Sequence, residues 1–215
     1  MRDFSIQMLP FFIGIIFHEY AHGRTALRWG DTTARDEGRL TLNPIPHLDP
    51  LGTILFPILN AVTGIPILIG WAKPVPINPN RFKNYRKGLF WVSFAGPLMN
   101  VALALISGVA ALVVMKYVPM DFTLYDFLVR VLGASIGINY WLAIFNLLPL
   151  PPLDGSKMIE SFLSYNASRK YEQITPYSFY ILMFLLISGS LGVLYFPVRM
   201  LTEGTIGLAR MIVQI

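Results

Sequence analysis

Residues 4–22 read FSIQMLPFFIGIIFHEYAH, an apolar run over 4–17 that passes without a break into His18, Glu19 and His22. The run has the character of a membrane helix. A charged side chain there costs on the order of 3 kcal/mol even on the lenient insertion scale, so it must pair, bind a metal ion or face water. On a helix, residues four apart share a face, so the imidazoles of His18 and His22 can hold one ion, while Glu19, one step round, reaches a water on that ion. A secretory signal peptide is excluded, because no small-residue cleavage site precedes the chemically loaded stretch. The segment is therefore the first membrane helix, ending near Arg24 and Arg28.

Composition agrees. Of 215 residues, 54% are hydrophobic and 13% charged, with mean hydropathy +0.56; an ordinary soluble domain carries about 25% charge. The net charge of +5 comes from Lys and Arg in short loops between apolar runs, which is a topology signal and not a nucleic-acid surface. With no cysteine, disulfides, thiol nucleophiles and thiolate zinc sites are excluded together, and a metal must use His, Asp, Glu or backbone oxygen. There are three histidines.

Four further apolar segments lie at 51–69, 89–118, 124–148 and 177–196, each near the ~20 residues needed to cross a bilayer. Pro57, Gly64 and Pro66 interrupt the first, and GWAKPVPINP at 70–79 alternates apolar residues with three prolines, the pattern of an edge strand. Arg24 and Arg28 lie before this region and Lys73, Arg81, Lys83, Arg86 and Lys87 after it. Keeping both basic clusters on one side of the membrane requires residues 50–79 to be re-entrant.

The expected fold is thus an all-α polytopic membrane protein, a transmembrane helix bundle with a re-entrant segment and a short edge β-strand. It forms one domain over 1–215, with its core at 4–155, a last helix at 177–196 and an amphipathic tail at 198–215 lying in the interface. The N-terminus is outside, and the basic loops are cytosolic.

Two histidines leave a catalytic zinc short of one protein ligand. His47, Asp31, Asp36, Glu37, Asp49, Asp121, Asp126 and Asp154 are available. Asp154 stands out because it closes NLLPLPPLDG at 146–155, where three prolines break the helix. Broken backbone at membrane depth is tolerated where it is buried in protein or lines a cavity. Under this topology His22 and Asp154 both lie at cytosolic helix ends and can meet.

HEYAH at 18–22, NPIPHLDPLG at 43–52, GWAKPVPINP at 70–79, FAGPLMN at 94–100 and NLLPLPPLDG at 146–155 together resemble the site-2 protease family of intramembrane metalloproteases, in the family's order. The resemblance implies one zinc ion per chain held by His18, His22 and Asp154, with Glu19 as the catalytic glutamate. It also implies Asn146 as the asparagine associated with the peptide-bond intermediate. Larger members add a PDZ-like or CBS domain, and this sequence reads as the bare core. The implied activity is cleavage of transmembrane segments of other membrane proteins within the lipid bilayer of the cell membrane, at the cytosolic side. The 71–76 strand (Trp71, Ala72, Lys73, Pro74, Val75 and Pro76) would receive the unwound substrate by edge addition.

Other signals are weaker. GASIG at 133–137 spells a serine-hydrolase elbow, but inside an apolar helix it reads as close helix packing. The Asn166-Ala-Ser168 sequon falls on the cytosolic side and is discounted. His47, in a proline-bracketed loop, either supports a metal ligand or is satisfied by backbone. Gly96, Pro97 and Asn100 mark a close helix crossing or an amide facing the cavity. The rival from another class is a non-proteolytic metal-handling transporter, in which buried His and Asp mark an ion path.

Overall fold

The computed structural model of the chain describes residues 2–49, 52 and 73–213. The expected re-entrant dip over 50–79 falls largely outside these residues, as do Trp71 and Ala72.

The helices are α1 (Arg2–Trp29), α2 (Thr33–Asp36), α3 (Tyr85–Tyr117), α4 (Tyr125–Asn146), α5 (Asp154–Glu160), α6 (Tyr165–Glu172), α7 (Thr175–Ile187) and α8 (Tyr195–Val213). Among the described residues α3 and α4 are long and apolar enough to cross a membrane, and α7 with the segment after it makes a third, bent candidate. Side chains such as Leu98, Ile106 and Met115 on α3 stay exposed, as expected of a face turned to lipid. At 28 residues, α1 is about 42 Å long at 1.5 Å per residue. Its His18, Glu19, His22, Arg24 and Arg28 make it less apolar than α3 and α4.

These three long helices pack on one another, α8 lies across α3 and α4, and α5 sits against α3. One apolar cluster joins Ala26 of α1 to Leu89 and Val92 of α3, with Phe82 from the approach to α3. A second joins Met8 and Phe11 of α1 to Leu142 of α4. A third gathers Ala104 of α3, Ile136 and Tyr140 of α4 and Val198 of α8. The first two clusters bracket His18 and His22 and fix the register of α1 against its partners.

Helix ends follow local chemistry. Gly30, at φ +106°, turns the chain out of α1 in a conformation that side chains disfavour. The Asn84 side chain caps α3 by accepting from the Lys87 N–H at 3.0 Å. Between them the backbone of 73–78 runs along α1 without regular structure.

Three expectations change. No strand is assigned among the described residues. The backbone of 73–78 is held by side chains and one carbonyl instead of by a β partner. The single helix expected over 177–196 breaks: α7 ends at Ile187, Gly189 takes φ +72°, and the chain bends by 78° before α8. The tail expected in the interface packs into the bundle as α8, burying Val198, Thr205 and Ala209, with Thr205 Oγ1 2.6 Å from the Tyr140 hydroxyl. Within the small-residue stretch at 133–137, Ser135 is buried against α3, its Oγ 2.8 Å from Ser107 Oγ, while a Cβ at Gly133 or Gly137 meets no described atom within 4 Å. Gly96 marks a further close helix approach.

Candidate metal centre

His18 and His22 lie one turn apart on α1, 7% and 6% exposed. Asp154 is brought to them by the turn over 147–153, whose geometry depends on Gly155. A Cβ at that position would run into the carbonyls of Leu147 and Leu148. Among the described residues one group of His, Asp or Glu could hold a metal ion: His18, His22 and Asp154, whose ligand atoms lie within 4.8 Å of one another. His18 Nε2 is 3.1 Å from Asp154 Oδ2, and His22 Nε2 is 3.3 Å from Asp154 Oδ1.

The protons on these groups can be placed by their partners. His22 Nδ1 is 2.6 Å from the Val92 carbonyl, which can only accept, so Nδ1 carries hydrogen. His18 Nδ1 is 2.6 Å from Asn100 Oδ1. The Asn100 amide cannot be reversed, because its Nδ2 donates to the Gly14 carbonyl at 3.1 Å. Each ring thus has its Nδ1 hydrogen pointing outward and its Nε2 turned inward, the two Nε2 atoms 2.9 Å apart, toward a carboxylate whose Oδ2 is buried without a hydrogen bond. Once each ring carries only its Nδ1 hydrogen, three acceptors converge on one point, an arrangement that a cation satisfies. The donor set, two imidazoles and one carboxylate, suits zinc with a position left for water or substrate. Gly96 of α3 completes the fit, since a Cβ there would stand 2.5 Å from His18 Nε2, inside the space an ion needs.

Glu19 Oε2 accepts from the Val75 N–H at 2.7 Å. Lys73 donates its N–H to the His47 carbonyl at 2.9 Å, and Arg39 Nη2 reaches the Lys73 and Pro74 carbonyls at 2.9 and 3.1 Å. Further along, the Asn78 N–H bonds to Asp31 Oδ2 at 2.7 Å. With proline at 74 and 76, the run over 73–76 has no N–H left to offer a strand partner. This accounts for the lack of a ladder there.

His47 is fully buried and donates from Nε2 to the Thr41 carbonyl at 2.9 Å. Backbone thus satisfies its Nε2, while its buried Nδ1 has no hydrogen-bond partner among the described residues, and His47 does not join the convergent group. Asn146 turns its Nδ2 back on the Leu142 carbonyl of its own helix at 2.9 Å. Of the two expected supporting residues, Asn100 alone touches a histidine of the group. Asn139 and Arg39 were not among the sequence candidates, and Asp31, a candidate ligand there, instead anchors the Asn78 N–H. An asparagine inside an apolar span was the available signal for Asn139, because an amide at membrane depth must find partners.

With this geometry in place, comparison with known proteins is informative. Residues 123–189 match the model of peptidase family M50. The chain is 38% identical over 192 residues to YwhC of Bacillus subtilis, covering 86% of this chain and 84% of that relative, which bears the name of a zinc metalloprotease. The chain belongs to peptidase family M50. This is the site-2 protease family, and this M50 chain is a zinc metalloprotease. Rip2 of Mycobacterium tuberculosis, 28% identical over 91% of this chain and 71% of its own length, has a name of the same kind. So does a Methanocaldococcus jannaschii protein, 31% identical over 73% of this chain and 70% of its own. No solved structure matches. The transporter reading gives way to the protease.

Proposed function

We propose that this M50 peptidase is an intramembrane endopeptidase that holds one zinc ion per chain on His18, His22 and Asp154 and cuts transmembrane segments of other membrane proteins. The convergence of two inward-facing Nε2 atoms and one carboxylate beside Glu19, in a bundle with apolar helices, is the observation that carries this reading. Zinc, when bound, polarises the scissile carbonyl and makes water acidic enough to attack near neutral pH.

The chain's own groups do the rest. Glu19 takes the proton of the attacking water and returns it to the leaving amine. Its second carboxylate oxygen, Oε1, takes this proton while Oε2 stays on the Val75 N–H, so the run over 73–78 orients the base. Asn146, at the C-terminal end of α4, faces the oxyanion side once its amide leaves Leu142. An apolar cavity of about 370 Å³, lined in part by Phe12, Ile16, Phe17, Leu42 and Leu48, adjoins α1 on the turn before His18. It gives apolar substrate side chains a place beside the site.

A helical substrate hides its amides and must unwind before it is cut. Trp71, Ala72, Lys73, Pro74 and Val75 form its seat. Because Lys73 and Val75 have already used their N–H groups, this seat offers carbonyl oxygens, and the unwound peptide donates to them in place of Arg39. Helix-weakening Gly, Pro or Asn in a substrate therefore speeds cleavage. The site faces the cytosolic side of the cell membrane, with the basic loops inside.

Co-expression with a membrane-anchored reporter tests this function. Glu19→Gln retains zinc and abolishes cleavage, whereas Asp154→Asn loses the ion. Full cleavage by the Glu19 variant, or native protein purified gently without zinc, overturns the mechanism.

A further inference from the structure

Two asparagine amides, Asn100 on α3 and Asn139 on α4, are completely buried between the long helices. Each is fully committed. Asn139 Nδ2 donates to the Ser135 carbonyl at 2.9 Å and to Ser135 Oγ at 3.1 Å. Its Oδ1 accepts from Asn100 Nδ2 at 2.9 Å, and the same Nδ2 donates to the Gly14 carbonyl at 3.1 Å. Asn100 Oδ1 is left pointing at His18 Nδ1, 2.6 Å away. At the far end Ser135 Oγ meets Ser107 Oγ at 2.8 Å.

We infer that Asn100 and Asn139 are a two-amide relay of positioning residues that holds His18 with its Nδ1 protonated and its Nε2 bare, toward Asp154. The inference rests on the zinc reading of that centre and extends it to α4, a helix that contributes no ligand of its own. Amides that only glue helices together have no required polarity. Here the polarity is dictated at both ends, because a main-chain carbonyl cannot donate. Turning either amide over sets oxygen against oxygen in a buried site, at a cost of about 1–3 kcal/mol for each group left unpaired.

Gly14 supports the assignment. It lies one turn before His18 on the same face of α1, and a Cβ there would stand 2.9 Å from Asn139 Oδ1 and 3.4 Å from Asn100 Nδ2. The absence of a side chain at this position lets α3 and α4 bring the relay up to α1. A metal-bound histidine depends on the partner of its other nitrogen for tautomer and ring orientation, and losing such a partner costs about 10–100-fold in metal affinity.

The test uses the full chain in detergent, titrated with zinc against a chromophoric chelator. Asn100→Leu is expected to weaken zinc binding by about 10–100-fold and Asn139→Leu, which leaves His18 untouched, by about 10-fold. The double variant binds no more weakly than Asn100→Leu alone, because both act through one ring. Ser135→Ala keeps native affinity, since the main-chain carbonyl that fixes Asn139 remains. Nitrogen NMR of the metal-free protein gives a second readout: a protected Nδ1–H on His18 in the native chain, lost in Asn100→Leu and less protected in Asn139→Leu, where the Gly14 carbonyl alone still orients Asn100. Helical content and elution volume establish that each variant is folded, and Asn139→Leu carries the test should Asn100→Leu fail to fold. Folded leucine variants with native zinc affinity and an unchanged Nδ1–H overturn the relay, as does strict additivity of the two losses. A native chain that takes up no zinc sinks the metal reading instead, and the NMR readout then decides the relay by itself.

Discussion

Replacing Gly96 with alanine adds one methyl group at the position where α3 meets the two imidazoles. Its Cβ would stand 2.5 Å from both Nε2 and Cε1 of His18, whereas ordinary contact begins at 3.4 Å, a shortfall of about 0.9 Å. The rings have little room to give way. His18 is tied to Asn100 at 2.6 Å and His22 to the Val92 carbonyl at 2.6 Å, and both anchors belong to α3 itself. Moving α3 back to admit the methyl group therefore drags the ring anchors with it. Zinc–nitrogen distances are held to within about 0.2 Å, so a displacement several times larger removes the site's geometry. Zinc affinity is expected to fall at least about 100-fold, the upper end of what a lost supporting contact costs.

The fold should survive, because the ~1 kcal/mol by which a helix interior favours alanine over glycine offsets part of an overpacking cost of about 1–3 kcal/mol. The assay is zinc content after purification, with chelator competition and thermal unfolding run in parallel. Gly133→Ala is the control, since its Cβ meets no described atom within 4 Å, and it should keep its zinc. A Gly96→Ala protein with native zinc content and native cleavage would refute the geometry described above.

Further outcomes follow from other parts of the fold. Stripping zinc with a chelator should lower the thermal midpoint, since binding to the folded state alone stabilises it, and the ion should be released as pH falls because its ligands must be deprotonated; an unchanged midpoint after complete removal would contradict the convergent-acceptor description. Asp31, 1% exposed, accepts from the Thr33 N–H, the Thr33 hydroxyl and the Asn78 N–H. Asp31→Ala should therefore destabilise the chain by about 1–3 kcal/mol, seen as a lower unfolding midpoint, and a native midpoint would count against its anchoring role. Because the chain has no cysteine, Lys83→Cys gives a clean topology probe. An impermeant thiol reagent should reach it from the cytosolic side, and labelling from outside alone would reverse the proposed orientation.

What was legible in the sequence came from features with a local physical cause. His18 and His22 four apart on a helix share a face whatever surrounds them, and a carboxylate beside them in an apolar run demands a partner. The spans over 89–118 and 124–148 were readable because an unbroken apolar stretch of that length has few alternatives to a helix, and both appear within a few residues of their expected ends. The span over 177–196 was misread because apolarity there hides the effect of Ser188, Gly189 and Ser190, where one left-handed glycine redirects the chain. The edge strand at 71–76 was read from alternation, which cannot reveal that Glu19 and His47 have taken the N–H groups a strand would use.

By itself, then, the sequence determined the solvent, the helical class and the ligand types, because hydropathy and short-range spacing act within one segment. The sequence singled out Asp154 among eight possible residues, and the tertiary structure shows how it comes to stand opposite the histidines. That placement depends on a turn seven residues long that folds Asp154 back against α1 through Gly155. Only the tertiary structure decided that Gly96 leaves room for an ion, and that Asn100 and Asn139 reach from two other helices to the far side of His18. Contacts between residues 39 to 136 positions apart leave no periodic trace in a chain, because each depends on how three helices are rotated about their own axes.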